Sequence, residues 1–124
     1  MIVIHADQID GWWSPPPHQR ELKILLSPAL QSVSEDLSMG MVILPPKESG
    51  DPHIHQESQE VWYIISGRGI LIVGGEATDL EPDTVVVAPA SAEHQIINDS
   101  DEELKALFIF SPAGPEEVYF PKED

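Results

Sequence analysis

A chain of 124 residues with 41% apolar content is long enough to bury a core as one domain and too apolar to be disordered. Its formal net charge of −16 leaves no basic footprint, so nonspecific phosphate binding is disfavoured and no nucleic-acid partner is expected; solubility is the plain reading of the acidity. With no cysteine, disulfides, thiolate catalysis and zinc–thiolate sites are excluded, which fits a reducing cytoplasm.

The opening Met1–Asp7 is too short and too soon acidic for a secretory signal, and no apolar run reaches membrane-spanning length. A soluble cytoplasmic protein with no membrane partner is the expectation. Twelve prolines and eight glycines punctuate short runs rich in Val and Ile. Ile2-Val3-Ile4 is the first run. Gly11–Pro17 reads as an irregular arm, and Trp12-Trp13 beside three prolines points to an interface. A homodimer to which this segment contributes is expected; the alternative is an arm folded over its own barrel. Leu22–Leu26 is stopped by Ser27-Pro28, and Gln31–Ser38 offers a turn of helix at best. Met39–Leu44 is stopped by Pro45-Pro46. Glu60–Ile65 and Gly69–Val73 flank Ser66-Gly67-Arg68-Gly69, a hairpin signal, and Gly74-Gly75 supplies a further turn. Thr84–Ala88, His94–Ile97 and Leu104–Phe110 follow, and the tail from Pro112 to Asp124 looks extended and partly loose. Many short strands with turn chemistry between them predict an all-β sandwich or barrel.

The chemistry lies in His53-Ile54-His55-Gln56-Glu57-Ser58-Gln59-Glu60 and in His94. Residues two apart on a strand share a face, so His53 and His55 point the same way. Alone, such a pair reads as a surface feature. A carboxylate and a third imidazole from neighbouring strands would complete a pocket for a divalent first-row metal.

His53-x-His55-x4-Glu60-x6-Gly67 resembles the first signature motif of the cupin superfamily, and Pro89-x4-His94-x3-Asn98 resembles the second. The resemblance covers roughly residues 40 to 111. It implies a double-stranded β-helix, or jelly-roll barrel, in a single domain 1–124: an arm 1–20, a barrel about 21–111 and a tail 112–124. It also implies the ligand set His53, His55, Glu60 and His94. The metal is one of Mn, Fe, Zn, Ni, Co or Cu, which the ligand set does not distinguish. Lys47, Asp83 and Ser91 stand where the family has glycine, which puts loop shape in question and touches no ligand. Three imidazoles and one carboxylate in an apolar interior need a counter-charge, and a divalent ion supplies it.

Trp62, Ile96, Phe108 and Met41 are read as pocket walls, with core packing as the competing reading of each. Met39, Met41 and Ile43 share a face, as do Phe108 and Phe110. His5 and His18 match no motif position, and Glu57 reads as a solvated loop residue. The functional expectation is a metal-dependent enzyme acting on a small molecule, of dioxygenase, decarboxylase, isomerase or lyase type. The sequence names no clear catalytic base; Tyr63, Glu57 and Gln59 are weak candidates. The alternatives are a non-catalytic binder of a carboxylate or sugar, and a barrel that keeps a metal for stability alone.

Overall fold

Short β-branched runs bounded by proline and glycine become strands of two antiparallel sheets. The structure, a computed structural model, describes residues 1–120. Its strands are β1 (Trp12–Trp13), β2 (Glu21–Leu26), β3 (Ser38–Leu44), β4 (Gln59–Ser66), β5 (Gly69–Val73), β6 (Glu76–Leu80), β7 (Val85–Ala88), β8 (His94–Ile97) and β9 (Leu104–Ser111). One sheet has the order β1-β2-β3-β9-β4-β7 and the other β6-β5-β8. This is the all-β double-stranded β-helix expected from the sequence.

Alternation decides which side chains fill the barrel. Along β9, Leu104, Ala106, Phe108 and Phe110 are buried while the residues between them are half-exposed. The register then carries this face across the sheet: Phe108 pairs with Trp62 and with Gly40, and Ala106 pairs with Ile64 and Val42. Gly40 is required there, because a Cβ would lie 2.3 Å from the Phe108 ring. Met41 is thereby corrected as a pocket wall. It pairs with Leu107 and Lys23 on the outer face, while Val42 points inward with Leu22. Both faces of β3 are apolar, so alternation alone could not choose between them.

Other expectations are corrected in detail. Ile2-Val3-Ile4 finds no partner strand among the described residues and forms none; Ile2 and Val3 are exposed. The Ser66–Gly69 turn does not close a hairpin, since β4 pairs with β7 and β9 whereas β5 pairs with β6 and β8. It carries the chain from one sheet to the other, with Gly67 lying against the backbone of Glu103. Gly74 and Gly75, both at positive φ, do close a hairpin from β5 to β6. β6 escaped the sequence reading because it is a polar edge strand. The short helix α1 (Pro28–Gln31) begins earlier than expected, with Ser27 as its cap and proline in its first turn.

The arm folds back on its own barrel. β1 pairs with β2, and the Trp12 ring packs 5.9 Å from that of Tyr119. The tail is more ordered than expected as far as residue 120: a 3-10 turn spans Pro115–Tyr119, while 121–124 lie outside the described residues. Lys47, Asp83 and Ser91 all take left-handed backbone, with φ of 65°, 65° and 72°. The glycine geometry is kept without the glycine.

Candidate metal centre

The backbone brings the histidines together first. His53 and His94 exchange both N–H···O bonds, each 3.0 Å long, as an isolated bridge beside β8. Further along, the Ser91 N–H donates to the His55 carbonyl at 2.8 Å, and the Ser91 hydroxyl donates to the Gln56 carbonyl at 3.2 Å. The His53–Gln56 segment is thus zipped onto residues 91–94. Glu60 arrives on β4 between Ala88 and Phe110.

One ligand-capable atom from each of His53, His55, Glu60 and His94 lies within 4.8 Å of the others. Glu60 Oε1 is 3.0 Å from His94 Nε2 and 3.4 Å from His55 Nε2. A carbonyl can only accept, so His53 Nδ1 donates to Asp51 O at 2.9 Å and His94 Nδ1 donates to Ala92 O at 3.2 Å. Both rings are left with an Nε2 lone pair for the centre, the usual way a ligand imidazole is oriented. Phe110 and Trp62 pack edge-on against the His55 and His94 rings at centroid distances of 4.8 and 5.1 Å.

The electrostatics suit a cation. Burial, with help from the neighbouring His94, lowers the His53 pKa and keeps that imidazole neutral. Burial pushes the Glu60 carboxyl up, but without a metal a proton on the His55 and His94 Nε2 atoms outweighs it and holds it below the usual carboxylate range. Yet His55 Nε2, Glu60 Oε1 and His94 Nε2 are buried and make no hydrogen bond of proper geometry. Orphaned buried atoms are costly, and three converging on one point need a common partner. Two atoms each about 2.1 Å from a shared ion lie roughly 3 Å apart when adjacent and 4.2 Å when opposite. The 3.0 and 3.4 Å separations at Glu60 Oε1 match adjacent positions around such an ion, so the donor set fits a divalent metal.

His53, Glu60 and His94 open onto a narrow cavity of about 20 Å³. Of the expected walls, Trp62, Ile96 and Phe108 line it and Met41 does not. Leu22, Val42 and Phe110 complete the apolar lining. Sequence reasoning missed its two polar groups, Arg20 and Tyr119. Burial raises the Tyr119 phenol to about 12, with the Arg20 guanidinium pulling the other way. Tyr63, Glu57 and Gln59 are exposed and lie outside the cavity, as do His5 and His18.

Tyr119 reaches this position through Glu116, whose buried carboxylate accepts from Ser27 Oγ at 2.6 Å, Ser38 Oγ at 2.7 Å and the Gly114 N–H at 2.7 Å. This contact ties the segment after β9 to β3 and to the cap of α1.

A family model described as "Cupin domain" matches residues 40–110. The chain is 32% identical over 95 residues to the polyketide synthase protein CurC of Streptomyces cyaneus, covering 77% of this chain and 61% of that one. It is 30% identical over 87 residues to gentisate 1,2 dioxygenase 1 of Aquipseudomonas alcaligenes, covering 68% of this chain and 25% of that protein. In fold it resembles a predicted oxalate decarboxylase of Thermotoga maritima, at 20% identity and a TM-score of 0.82 over 90% of this chain and 100% of the other. It likewise resembles KdgF of a Halomonas species, at 20% identity and a TM-score of 0.79 over 94% and 98% of the two chains.

Proposed function

The chain belongs to the cupin family, and on that footing we propose that it is a metal-dependent enzyme acting on a small oxygenated molecule. The observation that carries the proposal is the set of three buried, unpartnered atoms on His55, Glu60 and His94 beside His53, at the base of an apolar cavity. A divalent ion held by these four residues would supply Lewis acidity toward a substrate oxygen or toward O2. Trp62, Phe108 and Ile96 give the cavity an apolar wall beside that point. The likeness to polyketide synthase and gentisate dioxygenase proteins supports an oxygenated substrate. The narrow cavity supports a small one.

The lining also narrows the reaction types. Outside the ligand quartet it offers no carboxylate or imidazole among the described residues to accept a proton. Tyr119, raised to about 12, is a proton donor at neutral pH. Reactions that need a protein base, such as isomerisation or β-elimination, are disfavoured relative to dioxygenation or decarboxylation. The same lack of a base supports the second reading, a metal-assisted binder of a small carboxylate or sugar.

Elemental analysis of purified protein should give stoichiometric divalent metal, lost in His55→Ala; full retention in that variant overturns the proposal. Oxygen consumption with small phenolic or diketone substrates then separates a dioxygenase from a binder. We further propose a homodimer. The outer face of the larger sheet exposes the large apolar side chains Tyr63, Ile65, Val85 and Val87 on the neighbouring strands β4 and β7, a patch of the kind a second copy covers. Light scattering behind size exclusion tests this, and a monomer at micromolar concentration refutes it.

A further inference from the structure

Among the described residues, Arg20 is the one cation in the cavity wall, and it is only 4% exposed. A buried guanidinium is costly unless its charge is used. Its polar contacts within hydrogen-bond geometry all run through Nη1: an ion pair to Asp51 at 3.2 Å and bonds to Ser14 Oγ at 3.3 Å and the His18 carbonyl at 3.4 Å. The guanidinium also stands beside the Tyr119 hydroxyl and pulls its pKa down against the effect of burial. Ser14 Oγ also accepts from the Arg20 N–H at 2.9 Å, so backbone and side chain are fixed together. The Asp51 side chain is 53% exposed, and water screens it.

The cavity therefore combines a place for a divalent cation, a single carboxylate ligand and a second, fixed positive charge. The four ligands do not neutralise it. A neutral substrate would leave the guanidinium unanswered in an apolar wall, whereas an anion would meet both charges. Arg is suited to this, since its planar fork matches a carboxylate edge to edge. Tyr119 stands on the same wall and adds a hydroxyl donor.

We propose that Arg20 is a specificity-determining residue that selects a small carboxylate-bearing substrate, holding the carboxylate at its guanidinium beside the Tyr119 hydroxyl while the rest of the molecule reaches the metal ligands. The inference rests on the small-molecule reading of the metal cavity given above. Arg20 touches substrate and moves no proton.

Acetate and acetamide have nearly the same shape and differ in charge, so they are the probes. Both are titrated calorimetrically into the full chain, as purified and after chelation, with metal content measured on the same samples. Acetate should bind at least about tenfold tighter than acetamide, and Arg20→Gln should remove about 10- to 100-fold of acetate affinity while leaving acetamide unchanged. Asp51→Asn, at an exposed position, removes the competing charge and should strengthen acetate several-fold. Equal binding of the two probes, a preference that survives Arg20→Gln, or unchanged acetate affinity in Asp51→Asn overturns the inference. A protein without metal that keeps an Arg20-dependent preference overturns the metal-centre reading and leaves this one standing. Stoichiometric metal without the preference does the reverse.

Discussion

Glu60 and Glu116 are both buried carboxylates, 5% and 1% exposed, and they are solved in opposite ways. Glu116 receives two hydroxyls and a backbone N–H, each at 2.6 or 2.7 Å. Its surroundings answer its charge completely, and its effect is mechanical: it pins the segment carrying Tyr119. Glu60 Oε1 faces the Nε2 atoms of His55 and His94, and all three are buried without a hydrogen-bond partner. Nothing among the described residues completes it. A buried acid with its donors in place is an anchor, and a buried acid facing lone pairs is a place for a cation.

The contrast can be broken by experiment. The largest effect should come from removing what Glu60 needs. With metal present at about a thousand times its Kd, chelation should cost roughly 4 kcal/mol of stability, read as a fall in Tm that metal reverses. Glu60→Ala should abolish both the bound metal and the response to chelator. A chelator-insensitive Tm in the wild type would place Glu60 with Glu116 as a purely structural acid. Next is Glu116→Ala, which strands the Ser27 and Ser38 hydroxyls and the Gly114 N–H. Loss of these charge-assisted bonds should cost about 2–3 kcal/mol in urea unfolding while metal stoichiometry stays unchanged. Metal loss in this variant would mean the two acids are one system.

A smaller effect should appear in the pH profile. Burial pushes the Glu116 carboxyl up, but the Ser27, Ser38 and Gly114 donors outweigh it and hold it below its ordinary 4.5. Its contribution is thus complete above about pH 4.5 and is lost as pH falls through the lower folded-state value. Urea unfolding between pH 7 and 3 should show this drain in the wild type and less of it in Glu116→Gln. Parallel profiles would assign the acid sensitivity to other carboxylates.

The two acids also differ in how far the sequence revealed them. Glu60 was legible because His53, His55 and Glu60 are close in the chain and stand at a distinctive spacing. His94 followed because the second motif lies on a strand that period-2 alternation makes visible. Glu116 lies in a stretch with no periodicity, and its partners Ser27 and Ser38 are 89 and 78 residues away, so no local pattern records the contact. Arg20 was more accessible. It is in phase with Leu22 and Ile24, both inward-facing, so alternation continued two residues before Leu22 points it into the barrel. The irregular look of the proline arm hid that phase. Met41 was misplaced for a different reason: when both faces of a strand are apolar, only the Gly40–Phe108 contact reveals which is inside.

The smallest effect tests backbone alone, away from both acids. Lys47, Asp83 and Ser91 hold left-handed φ values, which cost a side chain about 1–2 kcal/mol that glycine avoids. Two of them recover part of that: Asp83 accepts from the Tyr63 hydroxyl, and Ser91 donates to the Gln56 carbonyl beside the ligand loop. Lys47 has an exposed bond to Asp99 O and a 3.5 Å ion pair with Asp101, both screened by water. Its own N–H bond to Ser100 O, at 3.2 Å, survives substitution. Lys47→Gly should therefore stabilise the protein by about 0.5–1 kcal/mol, less than the relieved strain because glycine loses more entropy on folding. Asp83→Gly and Ser91→Gly should gain less or lose. Urea midpoints of the three variants decide it, and a destabilised Lys47→Gly would show that the lysine's surface contacts outweigh its backbone strain.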